Sequence, residues 1–283
     1  MTDTSFRVEP VSGALGARIH GVDLAHPLSD ETLRAIRDAL HEYLVIFFRD
    51  QDLTTEQHRA FARRLGPLAP HPYVAGLAEH PDIIEIVKEP EETHNFGSGW
   101  HADLTFLDQP PGGAVLYARE LPPVGGDTMF ANMVLAYETL SHGMRRMLDG
   151  LSARHASGEP EVYFAEFRGM HERRGTVAVE QVHPVVRTHP VTGRKAIFVN
   201  PVFTRRFETM TMEESAPVLR YLHEHATRPE LTFRFRWSPG TLLIWDNRVV
   251  LHNALDDDFG AARNGTGFRR VLHRATLAGE RPV

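Results

Sequence analysis

His101 and Asp103 stand two residues apart in the stretch Gly99-Trp100-His101-Ala102-Asp103-Leu104-Thr105-Phe106. The stretch ends in residues that favour strands, and on a strand residues i and i+2 point to the same side. An imidazole and a carboxylate would then converge on one point. Together they make two thirds of the facial site that holds non-heme Fe(II) and leaves coordination positions open. The spacing alone is weak evidence: with 17 His and 37 acidic residues in 283, about two His-x-acid triplets arise by chance. Two occur, His101-Ala102-Asp103 and His80-Pro81-Asp82. Pro81 makes the second a poor strand interior, because proline cannot donate to a ladder.

Two later stretches carry similar groups. Ile244-Trp245-Asp246-Asn247-Arg248-Val249-Val250-Leu251-His252 follows a buried strand and ends in a histidine. Phe268-Arg269-Arg270-Val271-Leu272-His273-Arg274-Ala275-Thr276 places Arg270 and Arg274 four apart. On a strand these two share a face and suit bidentate binding of a carboxylate or sulfonate. The plainer readings are a satisfied polar histidine and a charged edge strand.

Composition bounds the answer. A chain of 283 residues with 42% hydrophobic and 24% charged residues can bury a sizeable core. The net charge of −6 is spread without long runs, which argues against a nucleic-acid surface. No apolar run reaches the ~18 residues of a membrane span. Met1–Arg7 has no basic segment followed by an apolar one, so no secretory signal is expected. There is no cysteine, which excludes disulfides and thiolate–metal sites and points to the cytoplasm. A metal here must use N and O ligands, which suits Fe(II), Mn(II) or Zn(II).

The elements that must position these residues read as many short strands with a few helices. Strands are expected within Phe6–Asp23 and over Val45–Phe48, Ile83–Val87, Pro110–Glu120, Asp127–Asn132, Val182–Thr188, Ala196–Val199, Leu231–Trp237, Thr241–Asp246 and Arg269–Leu277. Helices are expected over Leu28–Leu44, from Thr54 to Leu65, in two pieces within Ala131–Gly150, and over Thr211–Arg228. Ser29 caps the first, and Thr54/Gln57 and Thr211/Glu214 form capping boxes, with Pro217 unsettling the start of the last. Gly158–Val177 is polar and irregular, a candidate lid. Strands and helices do not alternate regularly, so a doubly wound α/β sheet is disfavoured. One domain over residues 1–283, mainly β with inserted helices and jelly-roll-like, fits better.

Taken together, these stretches resemble the TauD/TfdA family of Fe(II)/2-oxoglutarate-dependent dioxygenases, its taurine dioxygenase-like members in particular. The resemblance runs from about Phe6 to Pro282. It includes Gly21-Val22-Asp23-Leu24, Trp100–Phe106, Pro123-Val124-Gly125-Gly126-Asp127-Thr128, His183–Pro190, Phe198-Val199-Asn200, Trp245-Asp246-Asn247-Arg248 and the closing Arg-Arg segment. It implies a double-stranded β-helix, a cupin-like jelly roll, with Fe(II) on His101, Asp103 and His252. Thr128 and Arg270 would bind the distal carboxylate of 2-oxoglutarate. Arg274 and His71 would face the acidic group of the substrate, beside Trp100 and Phe203. The implied reaction consumes O2, releases succinate and CO2, and hydroxylates a small anionic substrate: a sulfonate, an alkyl sulfate or an aryloxyalkanoate. The carboxylate of Asp103 favours hydroxylation over halogenation. The resemblance also implies a homo-oligomer.

The chain departs from the family pattern in three places. His252 and Arg270 are 18 residues apart, more than is usual, and Arg263 in the Gly- and Ala-rich insert Asp256–Gly267 is the alternative cosubstrate arginine. Gly97-Ser98-Gly99 stands where an asparagine is expected upstream of Trp100, and the nearest is Asn95. The aromatic expected near His71 falls at Tyr73. Asn95 and Tyr73 are therefore carried as substrate-binding candidates. A same-fold desaturase or decarboxylase and a non-catalytic jelly-roll binding protein are the competing readings.

Overall fold

The computed structural model describes residues 6–92, 94–157, 179–257 and 267–283. The candidate lid Gly158–Val177 and the alternative arginine Arg263 lie outside the described residues. The chain opens with β1 (Arg7–Pro10), β2 (Ala17–His20), α1 (Asp30–Tyr43), β3 (Val45–Phe48), α2 (Thr55–Leu65) and β4 (Ile83–Lys88). It continues with β5 (Gly113–Glu120), β6 (Thr128–Asn132), α3 (Met133–Glu138), α4 (His142–Leu148) and β7 (Ser152–Ala156). After these come β8 (Glu180–Pro184), β9 (Val186–Thr188), β10 (Lys195–Ile197), β11 (Thr204–Phe207) and α5 (Met212–Ala226). It closes with β12 (Thr232–Phe235), β13 (Leu242–Asp246), β14 (Val250–Ala254) and β15 (Arg270–Leu277).

The helices begin where local chemistry says they should. Ser29 Oγ accepts from Thr32 N ahead of α1, and both capping boxes form, Thr54/Gln57 on α2 and Thr211/Glu214 on α5. Pro217 sits inside α5, beyond the capped first turn. Leu33, Ile36 and Leu40 of α1 and Phe61 of α2 face one side of a seven-stranded sheet ordered β1-β2-β3-β13-β5-β15-β4. Along β13, Leu242 and Ile244 meet those helices, while Leu243 and Trp245 turn to the other core. A strand buried on both faces reads as an unbroken apolar run, which this one is. The inner face packs on a smaller sheet, β12-β6-β14. The rings of Phe47 and Phe235 meet at 4.9 Å across this interface, and those of Phe130 and Trp245 at 5.9 Å. This is the mainly β, helix-decorated jelly-roll class the sequence leads one to expect, with sheets that do not close into a barrel. Among the described residues no helix is long and apolar enough to cross a membrane.

Several expectations need correction. Gly99–Phe106 is not a strand: His101 makes a single bridge to His252, and the chain turns from Asp103 onward. Asn247 captures the backbone of Asp103 on both sides, and Leu104 adopts a left-handed φ of 49°, so the ladder cannot continue. Val182–Thr188 divides at Val185 into β8 and β9, which join different sheets. β7 and β11 have no counterpart among the expected strands, because Ser-Ala-Arg-His-Ala and Thr-Arg-Arg-Phe show no clean apolar alternation. β14 is hidden in the sequence by the apolar run that precedes His252. β15 is not an edge strand; it lies between β5 and β4.

Asp246, at the end of β13, is fully buried. Its carboxylate accepts from Arg248 Nε at 2.8 Å and from a terminal guanidinium nitrogen of the same residue at 2.6 Å. It also accepts from His189 Nε2 at 3.0 Å. His189 Nδ1 accepts from Val191 N and Thr192 N, which fixes the proton on Nε2. His41 approaches the same group, but Asp246 is saturated and His189 has no lone pair to offer an ion. The cluster is a structural pin. Replacing Asp246 with Ala leaves the buried His189 and the half-buried Arg248 guanidinium without their main partner and is expected to cost about 3 kcal/mol, read as a lower urea midpoint.

Candidate active site

The site begins with two backbone hydrogen bonds. His101 N donates to His252 O at 2.9 Å, and His252 N donates to His101 O at 2.8 Å. Residues that exchange both bonds across an antiparallel pair stand directly opposite, with side chains on one face. The two imidazoles therefore meet, ring centroids 4.2 Å apart. Asp103 reaches them by a turn. Asn247 Oδ1 accepts from Asp103 N at 2.8 Å, and Asn247 Nδ2 donates to Asp103 O at 3.2 Å. Asp103 Oδ1 then lies 3.8 Å from His101 Nε2 and 3.6 Å from His252 Nε2.

All three side chains are buried. Burial holds both imidazoles below their ordinary pKa, with His101 also feeling Arg274, and His252 the neighbouring His101. Burial alone would raise Asp103; Arg274, His252 and His101 outweigh it and keep the carboxylate ionised. His101 Nδ1 donates to Gly99 O at 2.8 Å, leaving the Nε2 lone pair turned to the centre. Two neutral imidazoles and one carboxylate, with no thiolate, form the donor set of a facial Fe(II) or Mn(II) site. An ion holding ligands at about 2.1 Å sets neighbouring ligand atoms about 3 Å apart, so the observed separations need to contract by less than about 1 Å. The residues fit such an ion.

The flanks are as charged as the centre. Arg270, Leu272 and Arg274 alternate along β15, and all three line one pocket with His101, His252, Thr128, Trp237 and Trp245. A register shift against β5 falls between Val271 and Leu272, but pairing with β4 runs unbroken, so the two arginines keep a common face. Arg270 is buried, its guanidinium 5.9 Å from the Trp237 ring, and its Nε has no hydrogen-bond partner among the described residues. Burial lowers its pKa to about 10, so it stays charged at neutral pH. Thr128 Oγ1 accepts from Trp237 Nε1 at 3.0 Å, which leaves its O–H free to donate. Arg274 faces Asp103 with N···O distances of 3.1 and 2.7 Å; the shorter approach lies too far off axis to be a hydrogen bond.

His71 is buried, and its Nδ1 accepts from Tyr73 N at 3.2 Å and Val74 N at 3.1 Å. The proton must sit on Nε2, so the ring is a neutral donor. Burial, with Arg274 nearby, lowers its pKa to about 3. Phe203 stands edge-on to His101 at 6.2 Å and to Phe106 at 5.1 Å, and Tyr73 stacks on Phe106 at 5.9 Å. Trp100 is only partly buried and packs on the main core. Asn95 is buried, and its Oδ1 has no hydrogen-bond partner among the described residues. Its amide nitrogen donates to Leu255 O at 2.8 Å and to Asp256 Oδ1 at 3.2 Å, holding a loop.

Sequence reasoning missed Trp237 and Trp245 as pocket walls, and missed Asn247 as the residue that presents Asp103. Trp245 and Asn247 belong to the same motif as His252, so their proximity to it was the available signal. Trp237 carried none.

Comparison with known proteins places nearly the whole chain in a family. Residues 7–276 match the model of the family described as taurine catabolism dioxygenase TauD, TfdA family. An alpha-ketoglutarate-dependent sulfate ester dioxygenase of Pseudomonas putida is 35% identical, over 98% of this chain and 90% of that protein. A crystal structure of a taurine dioxygenase from Burkholderia xenovorans superposes with a TM-score of 0.83 at 38% identity, covering 99% of this chain and 93% of that one. A structure of AAD-2 in complex with Mn(II) and N-oxalylglycine gives a TM-score of 0.76 at 26% identity, covering 98% of this chain and 99% of that one.

Losing one of the three donors should act on metal binding first. His252→Ala is expected to weaken Mn(II) binding by more than the roughly 10–100-fold typical of an outer partner, measured by calorimetric titration of the metal-free protein.

Proposed function

The chain belongs to the taurine catabolism dioxygenase TauD, TfdA family, and from that premise we propose that it hydroxylates a small anionic organic acid at the expense of 2-oxoglutarate and O2. The observation that carries this reading is the convergence of His101, Asp103 and His252 beside two buried arginines of one strand. His101, Asp103 and His252 would hold ferrous iron, which would supply the O2 activation that couples decarboxylation of 2-oxoglutarate to attack on a C–H bond.

The protein's part is binding, orientation and exclusion of water. Arg270 offers a charged, poorly satisfied guanidinium deep in the pocket, and the Thr128 hydroxyl adds a donor beside it. Together they take the distal carboxylate of 2-oxoglutarate. Arg274 and the neutral His71 donor take the acidic group of the second substrate. Tyr73, Phe106 and Phe203 form an apolar wall that keeps water from the reacting carbon. Gly97 adds no side chain against the His101 ring, so a sulfate ester, a sulfonate or an aryloxyalkanoate longer than taurine fits this reading. The dioxygenase family of the chain favours catalysis over a non-catalytic binding role.

The test is succinate release with Fe(II), 2-oxoglutarate and O2 across a panel of alkyl sulfates, sulfonates and aryloxyalkanoates. Release with none of them refutes the proposal. With a substrate in hand, Arg274→Ala should raise its KM about 30-fold, the ~2 kcal/mol of a charge-assisted pair, while uncoupled 2-oxoglutarate consumption survives. Loss of 2-oxoglutarate binding instead would show that the two arginines have exchanged roles. Mass spectrometry of the product separates hydroxylation from desaturation or decarboxylation.

A further inference from the structure

We propose that Asp256 is a positioning residue for the metal ligand His101, acting through the loop at residues 94–98. The inference rests on the proposed metal site. Asp256 lies two residues beyond the end of β14 and touches none of the three ligands. Its Oδ1 accepts from Asn95 N at 2.6 Å and from Asn95 Nδ2 at 3.2 Å. Its Oδ2 accepts from Ser98 Oγ at 2.8 Å and pairs with His94 Nδ1 at 3.0 Å. Every one of these donors belongs to the same short loop. Burial would raise the Asp256 pKa, but the bonds from His94, Asn95 and Ser98 outweigh it and keep the carboxylate ionised.

The loop has no ladder of its own. It carries glycines with φ of 84° at Gly97 and 89° at Gly99, a backbone that β-branched or bulky residues avoid. The exit of β14 holds it. Ala254 N donates to Gly97 O at 3.0 Å, and Gly99 N donates to Asn253 Oδ1 at 2.8 Å. Asp256 completes this set with a carboxylate.

The loop in turn sets His101. Gly99 O is the acceptor that keeps the proton on Nδ1 and the lone pair on Nε2. Gly97 lies flat against the ring: a Cβ there would stand 3.3 Å from His101 Cε1 and 3.7 Å from Nε2. A loop released from Asp256 therefore lets Gly99 O drift, and the imidazole then samples both tautomers and a wider range of orientations. Outer partners of metal-bound histidines act through this lever.

Mn(II) is titrated calorimetrically into metal-free wild type, Asp256→Ala, Asp256→Asn and Asp257→Ala. Asp257 is the control: its carboxylate accepts from Gly126 N at 2.6 Å and from Arg234 at 2.5 Å, donors that lie outside the loop at residues 94–98. The expected result is a Kd about fivefold higher for Asp256→Ala, one bond further out than the usual 10–100-fold partner. Asp256→Asn keeps one acceptor oxygen and should lose roughly twofold, and it carries the test should the alanine variant not fold. Asp257→Ala should bind like wild type. Wild-type affinity in every Asp256 variant that folds, or an equal loss in Asp257→Ala, overturns the inference while leaving the metal reading intact. Failure of the wild type itself to bind Mn(II) overturns both.

Discussion

The reciprocal backbone pair between His101 and His252 is the constraint on which the site depends. It joins two residues 151 positions apart in the chain and needs no side-chain chemistry to form. Once both bonds exist, geometry leaves the imidazoles no choice but to share a face. The jelly-roll sheets serve this contact. β14 is held by β6, and β13 carries Asn247 just beyond its end to hold Asp103.

The charges follow from burial. A carboxylate among apolar residues is costly unless paired, and Asp103 is paired with Arg274. That pairing ties the part of the site suited to a metal to the part suited to an anion. An acidic molecule arriving at Arg274 must share the guanidinium with Asp103. Arg270 has no such carboxylate in contact among the described residues; burial is offset only by the more distant Asp257 and Asp127. Its Nε has no hydrogen-bond partner among the described residues. Two arginines on one face of one strand thus differ in the groups opposite each.

Behind the aromatic wall a polar network does the positioning. Thr105 Oγ1 meets His155 Nδ1 at 2.9 Å and Asn200 Nδ2 at 3.1 Å, and Asn200 Oδ1 accepts from Phe203 N at 2.8 Å. Burial lowers the His155 pKa to about 3, so the network stays neutral. Thr105 lies within the turn that presents Asp103, and Phe203 stands against His101. The network therefore links the ligand turn to the ring that shields it.

Much of this was legible from residue types and their order. The helices and their caps and the apolar strands buried on both faces follow from local patterns, whereas His101, Asp103, His252, Arg270 and Arg274 were drawn into one site only by the family resemblance of the stretches that carry them. Local patterns report what a segment prefers and what chemistry its side chains carry. They did not report how Asp103 reaches the histidines: strand spacing suggested i and i+2 on one face, whereas a turn held by Asn247 delivers the carboxylate. Nor did they show that Asn95 faces Asp256, or that Arg274 grips Asp103. Those are contacts between segments distant in sequence, decided by sheet register and by the cost of leaving buried polar groups unpaired, and neither exists until the chain has folded.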